Sequence, residues 1–270
     1  MSQWSYLLLN VGAWEGTFTR LSPSGRIETD IPSVVSLEAL NNNQTMRQTI
    51  RTGLGDDLSE RVLEYSSLAR SVHFFETGAF SQGSVQWGPF STFGAELGFI
   101  HGDRRLRLVQ LFDQQAQLSQ LTLIREQRQG VGLPSQPDLT VDDLIGNWKG
   151  EATTHYADLR SPDRYATRLS LTRQGRTLMQ SLELPSSTLT SQAQITDSAL
   201  RFGSGDEAVQ VLLLPGAASS VTPLSVPKRR AFFLEAGWLI SPTLRQRMIR
   251  RYSDSGAWES LTLVVEEKQT

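Results

Sequence analysis

Two pairs of arginines stand at matching places in this chain, each preceded one strand earlier by a glutamate. Arg105 and Arg107 align on Arg245 and Arg247 at a shift of 140 residues, and Glu96 aligns on Glu235 at a shift of 139. A guanidinium is a planar fork that grips a carboxylate through two parallel hydrogen bonds, so two arginines on one strand face could clamp a pair of carboxylates. Period-two alternation places Arg245, Arg247, Ile249 and Arg251 on one face and Gln246, Met248, Arg250 and Tyr252 on the other. On the strand before, Phe232, Leu234, Ala236 and Trp238 share one side, as do Phe93, Ala95, Leu97 and Phe99, and these are the core sets; Glu235 and Glu96 take the opposite side. If glutamate and arginine point into a barrel they must be paired or ligand-bound, because isolated buried charge is costly. If they point outward they form a solvated ladder across neighbouring strands.

Other chemistries lack their residues. The chain has no Cys, which removes disulfides, thiolate metal sites and cysteine nucleophiles. His73, His101 and His155 are scattered without ligand spacing, so no metal site is expected. No nucleophile elbow, phosphate loop or dinucleotide fingerprint occurs, and no catalytic residue is assigned. A net charge of −2 from 26 basic and 28 acidic residues argues against nucleic acid as a partner. Against that neutrality, Lys228, Arg229, Arg230, Arg245, Arg247, Arg250 and Arg251 lie in a stretch whose single acid is Glu235. The start lacks a basic leader, and no run approaches the roughly 20 apolar residues of a membrane helix, so a cytoplasmic protein without a membrane span is expected.

The elements that must hold these residues are strands. Short, partly alternating runs such as Gly25 to Leu37, Thr45 to Thr52, Phe93 to Ile100 and Leu118 to Arg125 are separated by SPSG, GLGDD, SQG and HGD, all turn chemistry. Helical periodicity is confined to short pieces such as Val141 to Ile145. The pattern is also written twice. Gly12-Ala13-Trp14-Glu15-Gly16 recurs as Gly146-Asn147-Trp148-Lys149-Gly150, and Arg107 to Glu126 aligns without gaps on Arg247 to Glu266. So long a period means a duplicated domain rather than a solenoid of about 20 to 50 residues. The boundaries expected are 1–128 for a first barrel, 129–137 for a Gly- and Pro-containing linker and 138–270 for a second. Many short strands with hardly any helix indicate an all-β protein whose two domains are each an antiparallel closed barrel or a sandwich.

The G-x-W-x-G opening after a short helical turn resembles the calycin group, the lipocalins and their relatives. That likeness implies two tandem lipocalin-like barrels in which Trp14 and Trp148 plug the closed ends. In lipocalins an arginine of the last strand packs on this tryptophan; Arg125 would serve in the first repeat, while Val265 occupies the aligned place in the second. The whole layout, with NVGAWEGTF, SVVSLEAL and QTMRQTIR, resembles an uncharacterised double-barrel family found largely in cyanobacteria and plastids. In the second half, Glu235-Ala-Gly-Trp238-Leu-Ile-Ser241-Pro242-Thr243-Leu244-Arg245-Gln-Arg247 resembles a signature of the S-type phycobiliprotein lyases, single barrels that hold an open-chain tetrapyrrole and help attach it to antenna proteins.

Three functions follow as expectations. The leading one is non-catalytic binding of a hydrophobic or amphipathic small molecule, acidic ones included, with Glu235, Trp238, Arg245, Arg247 and Arg251 as ligand-binding residues in the second barrel and Glu96, Arg105 and Arg107 in the first. The alternative implied by the resemblance is a bilin lyase or chaperone, with a linear tetrapyrrole as ligand and an antenna protein as partner. The last is an assembly or scaffolding protein whose barrels are filled with side chains.

Overall fold

The computed structural model describes residues 2–197, 199–205 and 208–269. It is 62% strand and 6% helix, well below the third that helices occupy in ordinary globular proteins.

The first repeat opens with helix α1 (Gln3–Leu7), capped by the Ser2 side chain on the Ser5 N–H, and a single 3-10 turn (Leu8–Asn10). Nine strands follow: β1 (Gly12–Leu21), β2 (Ile27–Leu40), β3 (Thr45–Thr52), β4 (Ser59–Tyr65), β5 (His73–Phe74), β6 (Phe80–Gly83), β7 (Phe93–His101), β8 (Arg104–Phe112) and β9 (Leu118–Arg128). The second repeat starts with α2 (Val141–Leu144), held by a reciprocal Thr140–Asp143 capping box. Ten strands come after it: β10 (Gly146–Tyr156), β11 (Asp163–Gln174), β12 (Thr177–Leu184), β13 (Ser187–Ile195), β14 (Ala199–Phe202), β15 (Val209–Leu214), β16 (Ala218–Pro223), β17 (Phe232–Ser241), β18 (Leu244–Tyr252) and β19 (Trp258–Gln269). The β2–β3 turn runs through Asn41, Asn42 and Asn43, all at positive φ (53°, 56° and 66°). Asparagine tolerates that conformation because its short amide bonds the local backbone.

The two sheets close differently. The second is a closed ten-stranded barrel, whereas the first is a nine-stranded curled sheet with β4 and β5 at its edges. Strand pairing locates the cause. Trp14 pairs with Val35 and Trp148 with Leu169, and following the registers outward makes Tyr65 the counterpart of Ala193 and Phe74 that of Leu213. Nine positions separate Tyr65 from Phe74 and twenty separate Ala193 from Leu213. The shorter connection leaves out a counterpart of β14, which in the second repeat bridges β13 and β15.

The chain divides into two compact units: 1–83 with 94–110 and 120–135, and 84–93 with 111–119 and 136–270. Two segments that the sequence assigns to the first repeat therefore belong to the unit that holds the closed barrel. Backbone hydrogen bonds fix them there: Trp258 N–H to the Val85 carbonyl, Trp87 N–H to that of Gly256, Leu118 N–H to that of Leu224 and Val226 N–H to that of Ala116, each 2.8 Å.

Each unit has its own core. Trp14, Met46, Phe74 and Ile100 centre the first, with Phe18, Tyr65 and Phe80 packed against them. Trp148, Leu169, Leu171, Leu178 and Leu200 centre the second.

Candidate ligand site

In the first unit β7, β8 and β9 deliver a buried charged group. Arg105 grips Glu126 with Nε and Nη2 at 2.7 and 3.0 Å, and Arg107 reaches the same carboxylate with Nε and Nη2 at 3.0 and 3.1 Å. Nη1 of Arg107 donates to Glu96 at 2.9 Å, and the Gln82 amide on β6 covers the other Glu96 oxygen at 2.6 Å. Both arginines and Glu126 lie at or below 7% exposure. Burial pushes the Glu126 carboxyl up, but Arg107 and Arg105 together outweigh it and hold it below the usual carboxylate range.

The second unit repeats the residues without repeating the saturation. Arg245 lies opposite Glu266 and Arg247 opposite Val264 in the β18–β19 register. Nε of Arg245 donates to Glu266 Oε1 at 2.5 Å, and Nη1 of Arg247 donates to Glu235 Oε1 at 3.2 Å. Nε of Arg247 is 3.2 Å from Glu266 Oε1 but not aligned to bond it. The second prong of the Arg245 fork stays open, leaving Arg245 Nη2 and Glu266 Oε2 buried without a hydrogen-bond partner. Where Gln82 stands opposite Glu96, the register puts Val221 opposite Glu235. Burial outweighs Arg247 and Arg245 at Glu235 and leaves its carboxyl above the usual range. Burial also lowers Arg245, while Glu266 and Glu235 raise Arg247 against it.

The tryptophans occupy matched positions at one end of each sheet. Each indole N–H donates at 2.9 Å to a carbonyl four residues upstream, Asn10 for Trp14 and Leu144 for Trp148. The guanidinium carbon of Arg105 stands 4.6 Å over the Trp14 ring, and that of Arg245 stands 4.6 Å over Trp148. The last-strand cation on Trp14 is Arg128 at 4.0 Å, not Arg125, and Lys268 takes its place over Trp148 at 5.3 Å. The register explains the correction, because Trp14 pairs with Arg128 and Trp148 with Lys268. Arg125 instead bonds Thr17, Thr19 and Asp30.

A cavity of about 290 Å³ occupies the second barrel, with Leu169, Leu178, Leu200, Phe202 and Val211 on its apolar side and Glu235, Arg245 and Arg247 on its charged side. The first repeat carries bulk at the equivalent interior positions. Phe18 corresponds to Ala152, Tyr65 to Ala193, and Phe80, which lies against Gly98, to Ser219, which lies against Gly237. Three aromatic rings are thus replaced by small side chains.

The structure brings Glu235, Arg245 and Arg247 together at the cavity, and Glu96, Arg105 and Arg107 together in their own cluster. It separates two other residues from them. Trp238 points to the opposite face of β17, where its indole N–H donates to Gln136 Oε1 at 2.8 Å, as alternation requires of a neighbour of Gly237. Arg251 shares the arginine face by parity but lies beyond the cavity, exposed, at a break in the β18–β19 register. Both faces of β17 are buried, so the Phe232 set is core although it is not the face that lines the cavity. Glu126 and Glu266, the hub of each cluster, are legible in the sequence only as a matched pair ending the aligned strands. Among the described residues no group of acidic or histidine side chains could hold a metal ion, and no helix is long and apolar enough to cross a membrane.

Comparisons with known proteins place this geometry. Residues 1–131 match the N-terminal model of a domain of unknown function, DUF3598, and residues 135–269 match a model described as Biogenesis factor required for ATP synthase 1, C-terminal domain. A protein of unknown function from Nostoc punctiforme, of the DUF3598 family and with a crystal structure, is 48% identical over 100% of both chains, with a TM-score of 0.95. An S-type phycobiliprotein lyase, CPES of Guillardia theta, is 10% identical over 48% of this chain and 90% of its own, with a TM-score of 0.40. A putative outer membrane protein of Bacteroides fragilis is 14% identical over 98% of this chain and 99% of its own, with a TM-score of 0.24. No curated protein matches the chain. By its full-length likeness to the Nostoc protein, the chain belongs to the DUF3598 family.

Proposed function

We propose that the closed barrel binds an amphipathic, acidic small molecule without catalysing its conversion, and that the first repeat is a filled scaffold. The observation that carries this reading is the cavity itself. Its apolar wall ends in arginines with buried nitrogens that lack a partner, in the same chain as a twin cluster whose arginines leave none. Ligand sites are apolar concavities with a few placed polar groups, commonly about 300 to 1,000 Å³. At about 290 Å³ the cavity suits a small monoacid. A bilin finds less support, since four linked rings demand more room and Trp238 faces away. Native mass spectrometry of the protein purified from its own host tests the reading. An intact mass above the denatured mass by that of one small organic acid is expected, and equal masses together with no uptake of added acids would refute it.

A second reading is an assembly factor, favoured by the match of residues 135–269 to the ATP synthase biogenesis model. Under it the protein co-purifies with an ATP synthase subunit or assembly intermediate, and deletion of the gene lowers the amount of assembled enzyme.

A further inference from the structure

The two charged groups are chemically the same set, two arginines and two glutamates, at different states of completion. In the first, each glutamate oxygen accepts at least one hydrogen bond and the four charges sum to zero. In the second, Arg245 lines the cavity at 5% exposure with Nη2 unpartnered, and Glu266 Oε2 is likewise buried without a partner. An anion arriving at Nη2 would turn a neutral buried group into one of charge −1. Uncompensated charge in such an interior is strongly disfavoured. Of the neighbours, the arginines cannot take up a proton, and of the two carboxylates Glu235 holds the longer bond to its arginine, 3.2 Å to Arg247 against 2.5 Å between Glu266 and Arg245. Glu235 is the group that can restore neutrality. We propose that the closed barrel binds monocarboxylates with an apolar tail, the carboxylate on Nη2 of Arg245, in a complex in which Glu235 is held as the neutral acid, so that the ligand loads at acidic pH and leaves as pH rises.

This rests on the small-molecule reading of the cavity and goes beyond it in naming the head group and the proton. The groups facing Glu235 are Arg245 and Arg247 on β18 and Glu266 on β19, while Val221 on β16 adds no charge. The arginines favour the carboxylate form of Glu235; burial and Glu266 oppose it, and burial prevails in the free protein. A bound anion adds to the opposing side. Proton balance is simple: one carboxylate enters with one proton, the proton resides on Glu235, and no covalent bond changes.

The test is calorimetric titration of the full chain with octanoate and with octanol, between pH 5.5 and 8.5. Octanoate stays ionised throughout, given an ordinary carboxyl pKa near 4 to 5, so any pH dependence belongs to the protein. Octanoate affinity is expected to fall by up to about tenfold per pH unit above the pKa of free Glu235, with octanol binding flat. Glu235→Gln, neutral at every pH, should remove the octanoate slope and retain tight binding at pH 8. In the unaltered protein, titration above that pKa in two buffers of different ionisation enthalpy should show uptake of up to one proton, a readout independent of the variant folding. Octanol binding with octanoate no better at low pH overturns the carboxylate and the proton while leaving the small-molecule reading standing. A slope that persists in Glu235→Gln places the proton elsewhere and overturns the assignment. No binding of either probe overturns both.

Discussion

Replacing Glu126 by Gln should hurt far more than replacing Glu266 by Gln, although the two residues are equivalent. Glu126 accepts four hydrogen bonds from Arg105 and Arg107, whereas Glu266 accepts one, from Arg245. A hydrogen bond to a charged group contributes about 1.5 to 3 kcal/mol net. The glutamine keeps one acceptor oxygen but turns N–H groups toward guanidinium N–H groups, so Glu126→Gln forfeits roughly two of its four bonds. It also leaves two arginines facing Glu96 alone. Breaking a buried ion pair by removing one partner costs about 3 to 5 kcal/mol, and that is the expected loss. Glu266→Gln can keep the single bond from Arg245 on its remaining oxygen, so its cost should be smaller by about 2 kcal/mol. Amide hydrogen exchange measured on peptides from β9 and β19 reads each loss where it occurs, without assuming that the two units unfold together. About 1.4 kcal/mol is a factor of ten, so β9 protection should fall by about two to three and a half decades in Glu126→Gln. If Glu266→Gln lowers β19 protection as much or more, the difference in saturation between the clusters has no energetic meaning and the reasoning fails.

Transplanting the bulk of the first repeat, as Ala152→Phe with Ser219→Phe, should abolish octanoate binding by calorimetry while the far-ultraviolet circular dichroism stays that of a β protein. Retained binding would put the ligand elsewhere. Acid should loosen the first cluster: the folded-state pKa of Glu126 lies below its unfolded value near 4.5, so its contribution is full above that pH and is lost as pH falls through the folded value. Exchange protection of β9 should drop there in the unaltered chain and hardly at all in Glu126→Gln. At Glu235 the sign is opposite, because its raised folded pKa makes its contribution full below about 4.5 and lost as pH rises through the folded value. Glu235→Gln should therefore flatten the decline of β19 protection toward alkaline pH. Finally, Trp148→Phe removes the bond to the Leu144 carbonyl and the stacking of Arg245 and Lys268, for a stability loss of about 2 to 4 kcal/mol by the same exchange measurement; a loss below about 1 kcal/mol would deny it the role of a plug.

Much of this arrangement was legible in the sequence because alternation and repetition are local properties. The shared face of Glu235, Arg245 and Arg247 follows from parity, and the matching clusters follow from constant shifts between repeats. What parity cannot supply is depth along a strand. Arg251 has the right parity and lies past the cavity, and Trp238 is close to Arg245 in sequence yet faces away. Cross-strand register is also invisible, which is why Arg125 was matched to Trp14 when pairing delivers Arg128. The shift between repeats grows from 134 at the tryptophans to about 140 at the last strands, which shows that residues are missing from the first repeat. Only the pairing shows that the loss falls between β4 and β5, where it costs closure. Nor could composition reveal the cavity, whose wall includes Ser219 where the first repeat carries Phe80, positions that only the registers equate.

That lost closure has a consequence for encounters between molecules. β4 is the outer strand of an open sheet, and an open edge offers its unpaired amides and carbonyls to any passing chain. Five of its seven residues are exposed, in the order Ser59, Glu60, Arg61, Val62, then Glu64 after the partly covered Leu63. Were two copies to join edge to edge in antiparallel fashion about Val62, each Glu60 would stand opposite a Glu64 of the other, and like charges directly opposite are repelled. Arg51 and Arg47 on β3 already hold those two carboxylates, through Nε contacts of 2.5 and 2.6 Å, which keeps them extended over the sheet beside the edge. In that arrangement two ion-paired glutamates would have to be brought face to face along a seam that hydrogen bonds leave open, a cost that works against edge-to-edge self-association of the unclosed copy.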